Sequence, residues 1–383
     1  MQQFNYPTVL LYGEGSLVES AQRIKALGFK KPLLVTDKTL VELGIVKQVT
    51  DQIEKVGIET IVYDGSHPNP VEDDCIDGAK MYKDHGCDSL IAVGGGSPMD
   101  VAKGIMVLAT HDGPLSKYDD AKGGDKHIVH KLPPLVAIPT TAGTGSEVGR
   151  AGVIIVNDTK NKTIIFHPTM LPVLAVLEPT LTTGLPAHIT AATGIDAFIH
   201  SLEAYFSPVF HPMAEGIGLE GMKLVIENLG IVYKNGNDIE ARSKMLLAAS
   251  MGATAFQKGL GMIHAIAHPL SSVNGLHHGL ANALVTPACV SFLEDSELNA
   301  DQKKKIDVVN SFFEGTSFKR ERLSATLEAY FESLGINFGL QNHGVKEEHV
   351  QILSEKAFLD VSHQTNMLPM TTEKFKMVIE KAL

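Results

Sequence analysis

The chain has 383 residues, of which 44% are hydrophobic, and a net charge of −11, so we expect two globular domains and no basic face for nucleic acid. No run approaches the roughly 20 apolar residues of a membrane helix, and the N-terminal segment lacks the features of a secretory signal, so we expect no association with a membrane. Three cysteines without CxxC spacing suit no disulfide framework, which favours a cytoplasmic protein.

The first half alternates between short β-branched runs and amphipathic stretches of helical period. The runs occupy residues 30–37, 57–65, 87–97, 132–141 and 174–179, and residues 152–168 fit an appended hairpin. Strands that alternate with helices predict βαβ units and a parallel sheet. From about residue 185 onward almost every segment has helical period. The sequence therefore predicts an α/β domain over residues 1–184 and an all-helical domain over residues 185–383.

Two loops that follow predicted strands indicate nucleotide binding. GGGSPMDVAKG (94–104) opens a helix, with Ser97 as the expected N-cap, and the free N–H groups of a helix N-terminus bind anions such as pyrophosphate. PTTAGTGSE (139–147) contains four hydroxyl side chains suited to phosphate and ribose. Each loop alone also fits a capped turn with nothing bound. Two of them after neighbouring strands favour a ligand, because ligands of open α/β sheets bind outside the carboxyl ends of the strands.

Asp37 lies at the end of a third predicted strand. A carboxylate there can accept hydrogen bonds from both adenosine ribose hydroxyls and would repel a 2′-phosphate, which favours NAD over NADP. The alternative is a simple N-cap for the next helix. In the usual dinucleotide fingerprint the acid follows the glycine loop, whereas Asp37 precedes it, so the predicted topology is not the standard one.

Several polar residues within apolar helical segments indicate a metal site. Asp196 and His200 are four residues apart, as are His264 and His268, and His278 follows His264 by 14 residues. A spacing of four places two side chains on one helix face. A single histidine in such surroundings is usually a satisfied core residue, but burying several without partners is costly. One carboxylate and three imidazoles would suit Zn²⁺ or Fe²⁺. His277 remains an alternative to His278, and the spacing alone also allows His268 to bind metal.

The chain resembles the iron-containing, or group III, alcohol dehydrogenases, whose members include lactaldehyde reductase and 1,3-propanediol dehydrogenase. The resemblance spans essentially the full length and rests on GSHPNP, AVGGGSPMDVAK, AIPTTAGTGSEV, LPAHITAATGIDAFIHSLEAY and GMIHAIAHPLSSVNGLHHGLANA, in that order. It implies Fe²⁺, or Zn²⁺ or another divalent ion, bound by Asp196, His200, His264 and His278. His268 would then lie beside the nicotinamide as a catalytic residue rather than as a ligand.

The resemblance also implies that the α/β domain binds NAD and that the helical domain binds the metal. It assigns to the cofactor site Asp37 and Asn69 on the adenosine side, Gly95, Gly96, Ser97 and Asp100 at the pyrophosphate, Thr140, Thr141, Thr144 and Ser146 in the second loop, Lys162 at the ribose and Leu181 as an apolar contact. It implies a homodimer or a larger homo-oligomer. One departure is HQTNMLP (363–369), which stands where many relatives have an Asn-Pro-Arg ending.

The function expected from these residues is hydride transfer between NAD(H) and a small primary alcohol or diol, or the matching aldehyde. Two enzymes of similar architecture are alternatives: a zinc-dependent polyol dehydrogenase of the glycerol dehydrogenase type, and a lyase of the dehydroquinate synthase type that uses NAD without net oxidation. A metal- and nucleotide-binding regulator without turnover is a third. The complete second loop and the spacing of the four ligands favour the alcohol dehydrogenase.

Overall fold

A computed structural model describes Tyr6 and residues 8–383. The described chain divides into two compact units, Tyr6–Thr183 and Gly184–Leu383. The boundary expected from the sequence, between residues 184 and 185, lies one residue from this division.

The first unit contains a parallel sheet and a separate antiparallel hairpin. Within the described residues its strands are β1 (Val9–Tyr12), β2 (Pro32–Val35), β3 (Ile61–Tyr63), β4 (Ser89–Gly94), β5 (Leu135–Pro139), β6 (Ala151–Ile155), β7 (Lys162–Phe166) and β8 (Leu174–Leu177). Six of them form the sheet, in the order β1-β8-β5-β4-β2-β3 with every pair parallel, and β6 pairs with β7. The predicted parallel sheet and hairpin are confirmed, and β1 is an additional strand that the sequence pattern did not indicate.

Both faces of this sheet are covered by helices, which explains why its central strands are buried at every position. The helices are α1 (Ser16–Ala26), α2 (Lys38–Glu42), α3 (Ile45–Glu54), α4 (Glu72–Asp84) and α5 (Gly96–Thr110). Alternate strand residues point to opposite faces. Leu33 and Leu90 therefore pack with α4 and α5, whereas Leu34 and Ile91 pack with α1 and α3. Parallel sheets covered on both faces have such continuous hydrophobic strands.

The second unit is helical, and the described residues 184–383 contain no strand. Its helices are α6 (Ala187–Phe206), α7 (Pro212–Lys234), α8 (Ile239–Ala255), α9 (Met262–Asn274), α10 (His278–Glu294), α11 (Ala300–Ser311), α12 (Leu323–Glu332), α13 (Val350–Leu359) and α14 (Thr372–Ala382). The central helix is α6, which packs against α7, α8 and α10. Every residue from Thr190 to Phe206 is buried, and a helix that is buried on all sides places any polar side chain in the core.

The three cysteines are free and buried. Cys75 and Cys87 belong to the first unit and Cys289 to the second. Burial raises the pKa of the Cys75 and Cys289 thiols well above their usual range. Within the described part of the chain, we find no helix with both the length and the apolar character needed to cross a membrane.

Candidate metal centre and cofactor loops

Three polar side chains follow one another along α6. Asp196, His200 and Glu203 occupy positions four and three residues apart, so they lie on one helix face. All three are buried, and Asp196 is only 3% exposed. Polar groups in such a position need partners, because an unpaired buried charge is strongly unfavourable.

Helices α9 and α10 supply imidazoles that meet this face of α6. The Oδ1 atom of Asp196 lies 3.9 Å from Nε2 of His200, 3.7 Å from Nε2 of His264 and 3.5 Å from Nε2 of His278. The possible ligand atoms of Asp196, His200 and His264 all lie within 4.8 Å of one another. Two donors of one tetrahedral ion with bonds of about 2.1 Å would be roughly 3.4 Å apart. The donor set therefore fits a divalent metal ion.

The electrostatic environment of these residues also favours a positive charge between them. Burial alone would raise the pKa of Asp196, but the imidazoles of His200, His278 and His264 outweigh it and hold that pKa far below its usual range. Burial lowers the pKa of His264, but hydrogen bonds with Asp196 and Glu203 more than compensate and raise it to about 9. Burial keeps the pKa of His278 well below its usual value, so this ring is neutral and retains a lone pair.

The contacts of Asn282 also bear on whether these residues fit a metal ion. Its Nδ2 atom lies 2.7 Å from Asp196 Oδ1, 3.2 Å from His278 Nε2 and 3.3 Å from His264 Nε2. One carboxylate oxygen and two imidazole nitrogens thus converge on the amide nitrogen of Asn282, which is fully buried. The Oδ1 atom of Asn282 has no hydrogen-bond partner among the described residues. Carboxylate oxygens and neutral imidazole nitrogens are typical ligands of a divalent cation, so their convergence here also fits a metal ion.

The structure separates the histidines that the sequence left as alternatives. His277 is the N-cap of α10 and is exposed, whereas His278 is the first residue of that helix and faces Asp196. His268 lies one turn beyond His264 on α9, but its Nδ1 atom lies 2.7 Å from Asp360 Oδ2. Its ring stacks on His278, with 5.2 Å between the ring centroids. His268 is therefore next to the cluster, with its own carboxylate partner.

Pro269 does not end the helix that carries His264. Helix α9 continues through Pro269 to Asn274 and ends at Gly275, which has φ +71°. A residue in this left-handed region commonly terminates a helix, and glycine adopts it without strain. The turn after α9 is therefore short, and α10 begins at His278, directly beside the cluster.

In the first unit, the glycine-rich loop lies between β4 and α5. The expected N-cap role of Ser97 is wrong: Gly95 is the N-cap, α5 begins at Gly96, and Ser97 lies inside the first turn. The Ser97 hydroxyl instead donates to the carbonyl oxygen of Pro68, at 2.7 Å. The reason is that the Gly94 backbone, with φ +149°, turns the chain into the helix earlier than a serine cap would.

The second loop packs directly against the first. A Cβ atom at Gly96 would lie 2.9 Å from Thr144 Cγ2, and one at Gly95 would lie 3.3 Å from Thr141 Oγ1. The backbone N–H of Thr140 donates to the carbonyl oxygen of Gly94 at 3.0 Å. The two loops predicted to bind the cofactor thus form one continuous surface at the carboxyl edge of the sheet, as expected for a ligand site in an open α/β sheet.

Two charged side chains of α5, Lys103 and Asp100, contact Ser146 of the second loop. The fully buried Lys103 ammonium donates to Ser146 O at 2.9 Å, to Ser146 Oγ at 2.8 Å and to Ala151 O at 2.8 Å. Ser146 Oγ lies 3.2 Å from Asp100 Oδ1. Burial raises the pKa of Asp100 to about 6, although Lys103 lowers it. Burial lowers the pKa of Lys162, while Asp100 raises it. Asp100 thus contacts the second loop and faces two lysines.

The remaining predicted cofactor residues lie in three different environments. Asp37 is the N-cap of α2 and accepts a hydrogen bond from Leu40 N at 3.0 Å, so the capping alternative is present in the structure. Asn69 is exposed in the segment after β3. Leu181 is buried and packs into the apolar cluster on the α1 and α3 side of the sheet.

Several residues around the cluster were missed by the reasoning from sequence. They are Glu203, Asn282 and Asp360 near the histidines and Lys103 beneath the loops. Glu203 and Asn282 had a usable signal, since each is a polar residue in an apolar helical segment at helical spacing from a predicted ligand. Asp360 and Lys103 had none, because their partners lie far away along the chain.

Comparisons with known proteins agree with this arrangement. The family model described as iron-containing alcohol dehydrogenase matches residues 7–179, and the model of that family's C-terminal domain matches residues 190–383. The chain is 37% identical to the 4-hydroxybutyrate dehydrogenase of Cupriavidus necator, over 97% of each chain. It is 34% identical to the NAD-dependent methanol dehydrogenase of Bacillus methanolicus, over 100% of each chain. A solved structure of 1,3-propanediol oxidoreductase matches it with a TM-score of 0.93 and 32% identity, over 100% of both chains. The chain therefore belongs to the iron-containing alcohol dehydrogenase family and is an oxidoreductase.

Proposed function

We propose that this protein is an NAD-dependent dehydrogenase of small primary alcohols or diols that binds its metal through Asp196, His200, His264 and His278. The observation that carries the proposal is the convergence of three imidazole nitrogens within 3.9 Å of one buried carboxylate oxygen. Fe²⁺ is the expected ion, and Zn²⁺ or another divalent ion would suit the same donors. The similarity to a 4-hydroxybutyrate dehydrogenase, a methanol dehydrogenase and a 1,3-propanediol oxidoreductase supports small alcohols as the substrate class.

The two units have separate roles in this proposal. Residues 1–184 bind NAD through the loops after β4 and β5, and residues 185–383 bind the metal. We further propose Asp37 and Asn69 for the adenosine side, Lys162 for a ribose and Leu181 for an apolar contact. We propose that Gly95, Gly96 and Ser97 lie at the pyrophosphate with Asp100, and that Thr140, Thr141, Thr144 and Ser146 complete the site. A cytoplasmic homodimer or larger homo-oligomer completes the proposal.

When bound, the metal ion supplies stabilisation for negative charge that develops on a substrate oxygen, and the dinucleotide supplies a hydride acceptor. The chain's own residues do the rest. Asp196 remains ionised and balances the positive charge of the site. Asp360 accepts a hydrogen bond from Nδ1–H of His268, which leaves Nε2 of that ring as a lone-pair donor. Nε2 of His268 can then accept the proton that the alcohol hydroxyl releases.

The test of the proposal is a comparison of His264→Ala with His268→Ala. His264→Ala is expected to lose both bound metal and turnover of NAD with a primary alcohol, because one ligand is gone. His268→Ala should retain its metal and lose about 10²–10⁴-fold in kcat, the usual contribution of an acid–base group, with a changed pH profile. Metal content is measured by mass spectrometry beside NADH formation. Full turnover in a preparation of either protein without metal would disprove the metal's role.

A further inference from the structure

We propose that Glu203 is a positioning residue of the metal centre: it fixes the His264 ring in the one tautomer and orientation in which Nε2 faces Asp196. The inference rests on the proposed function, because it takes His264 as a metal ligand. Glu203 was not among the residues predicted from the sequence, and it does not itself face the point where the histidine nitrogens converge.

The contacts of the His264 ring support this role. Its Nδ1 atom lies 2.6 Å from Glu203 Oε2, and its Nε2 atom lies 3.7 Å from Asp196 Oδ1. A carboxylate can only accept a hydrogen bond, so Nδ1 must carry a proton, and in the neutral ring that binds a metal the lone pair is therefore on Nε2. Metal-binding histidines typically donate their second ring N–H to such a carboxylate or carbonyl group, which fixes the tautomer and ring orientation.

The carboxylate of Glu203 is itself held firmly. Its Oε1 atom accepts the backbone N–H of Ile263 at 2.7 Å, and its Oε2 atom accepts that of His264 at 3.4 Å. Glu203 is 4% exposed and lies at the N-terminus of α9, where the helix dipole stabilises a negative charge. Glu203, which is part of α6, thus binds both the first turn of α9 and the His264 ring. These contacts fix the orientation of the His264 ring relative to α6.

Gly261 provides independent support, because it allows the start of α9 to approach the carboxylate closely. A Cβ atom at this position would lie 2.7 Å from Glu203 Oε1 and 2.8 Å from Asn366 Oδ1. Gly261 has φ −149°, an extended value that any residue adopts, so backbone strain does not explain the glycine. The space at Gly261 is instead occupied by the two side chains that cap α9.

Asn366 offers a matched control, since it caps the same helix end without touching His264. Its Oδ1 atom accepts the backbone N–H of Met262 at 3.1 Å, one residue before the N–H that Glu203 binds. If Glu203 served only as a helix cap, removing either cap would have the same kind of effect. A loss of a cap typically costs about 0.5–2 kcal/mol of stability, with no direct effect on the metal.

The experiment compares Glu203→Gln with Asn366→Ala in the metal-free full-length protein. The readouts are the Zn²⁺ dissociation constant, measured by competition with a chromophoric chelator, and the midpoint of thermal unfolding without metal. Both variants should unfold at a lower temperature. Glu203→Gln should weaken Zn²⁺ binding by about 10–100-fold, the usual cost of losing such a partner, whereas Asn366→Ala should leave it within about threefold of the wild type. Glu203→Asp, which keeps the charge but is one methylene shorter, should lie between Glu203→Gln and the wild type.

Equal Zn²⁺ affinity in Glu203→Gln and the wild type would overturn the inference, as would equal losses in Glu203→Gln and Asn366→Ala. Glu203→Asp provides the same comparison if Glu203→Gln does not fold. His264→Ala separates this inference from the proposed function. If His264→Ala binds Zn²⁺ as tightly as the wild type, the metal assignment itself fails. If His264→Ala loses Zn²⁺ while Glu203→Gln keeps it, only the positioning role fails.

Discussion

Lys103→Met tests whether the buried ammonium beneath the second cofactor loop is charged and what it contributes. The substitution keeps most of the side-chain volume but removes the Lys103 donor from the carbonyl oxygen of Ala151, whereas the carbonyl oxygen of Ser146 still accepts the backbone N–H of Gly149 at 3.1 Å. Each unsatisfied buried acceptor costs about 1–3 kcal/mol. Against this, burial lowers the pKa of Lys103 from 10.5 to about 8, and that difference corresponds to about 3 kcal/mol spent on keeping the ammonium charged. At pH 7 these two contributions are of similar size, so the free energy of unfolding of the variant should lie within about 2 kcal/mol of that of the wild type.

The pH dependence of this difference is the sharper result. Between pH 8 and pH 10.5 the folded protein has released the Lys103 proton while the unfolded chain still binds it, so the wild type gains stability as the pH rises. Lys103→Met lacks this gain. The unfolding free energy of the wild type minus that of the variant should therefore increase by up to about 3 kcal/mol over that range. The chain has no tryptophan, so urea unfolding is followed by far-ultraviolet circular dichroism. The control is Lys80→Met, at an exposed lysine of α4. The wild-type minus variant difference in unfolding free energy should not increase with pH for this control. A difference that stays constant or narrows between pH 8 and pH 10 would refute the reasoning.

Three further predictions follow from the site geometry. Gly279→Ala places a Cβ atom against the carbonyl oxygen of Ala192, so it should separate α10 from α6, lower the unfolding temperature and weaken Zn²⁺ binding. The control Gly230→Ala, whose Cβ meets no atom within 4 Å, should have neither effect. Equal behaviour of the two variants would contradict the packing argument. The pKa of His264 without metal is about 9, and an imidazole must be deprotonated to bind a metal. The apparent Zn²⁺ affinity should therefore rise about tenfold per pH unit up to pH 9 and then level off. An affinity that does not change from pH 6.5 to 8.5 would be inconsistent with this. Asp37→Gly should raise the KM for NAD and admit NADP, since charged hydrogen bonds contribute about 1.5–3 kcal/mol each; efficient use of NADPH by the wild type would show that this interpretation of Asp37 is wrong.

The features predicted correctly from the sequence are those that local spacing determines. Asp196 and His200 are one helical turn apart, so any helix through them places both on one face, and α6 does so. The alternation of apolar strands and amphipathic helices likewise predicted the parallel sheet, because the period of the side chains differs between the two elements. The choice between His278 and His277 was settled through the family resemblance, since the sequence alone favoured His278 only slightly. Spacing could not make that choice, because the turn before α10 decides which ring faces Asp196.

The features that were missed depend on contacts between distant parts of the chain. Glu203 meets His264 across 61 residues, and Asp360 meets His268 across 92. A single carboxylate in a helical segment is most often solvated, so nothing local distinguishes Asp360 from a surface residue. Glu203 had one local signal, its helical spacing from His200 in an apolar segment, but that signal does not reveal its contact with His264. The error at Ser97 has a local origin. Serine is a favoured N-cap, but the turn at Gly94 starts the helix one residue before it, at Gly96.

The three buried cysteines allow the opening of each unit to be timed separately. A thiol-specific reagent reacts with an exposed thiolate, and burial suppresses both the exposure and the ionisation of Cys75 and Cys289. Their labelling rates therefore measure how often the surrounding structure opens. Peptide mapping after a labelling pulse assigns Cys75 to the first unit and Cys289 to the second. A metal that stabilises only the helical unit would slow the labelling of Cys289 and leave that of Cys75 unchanged.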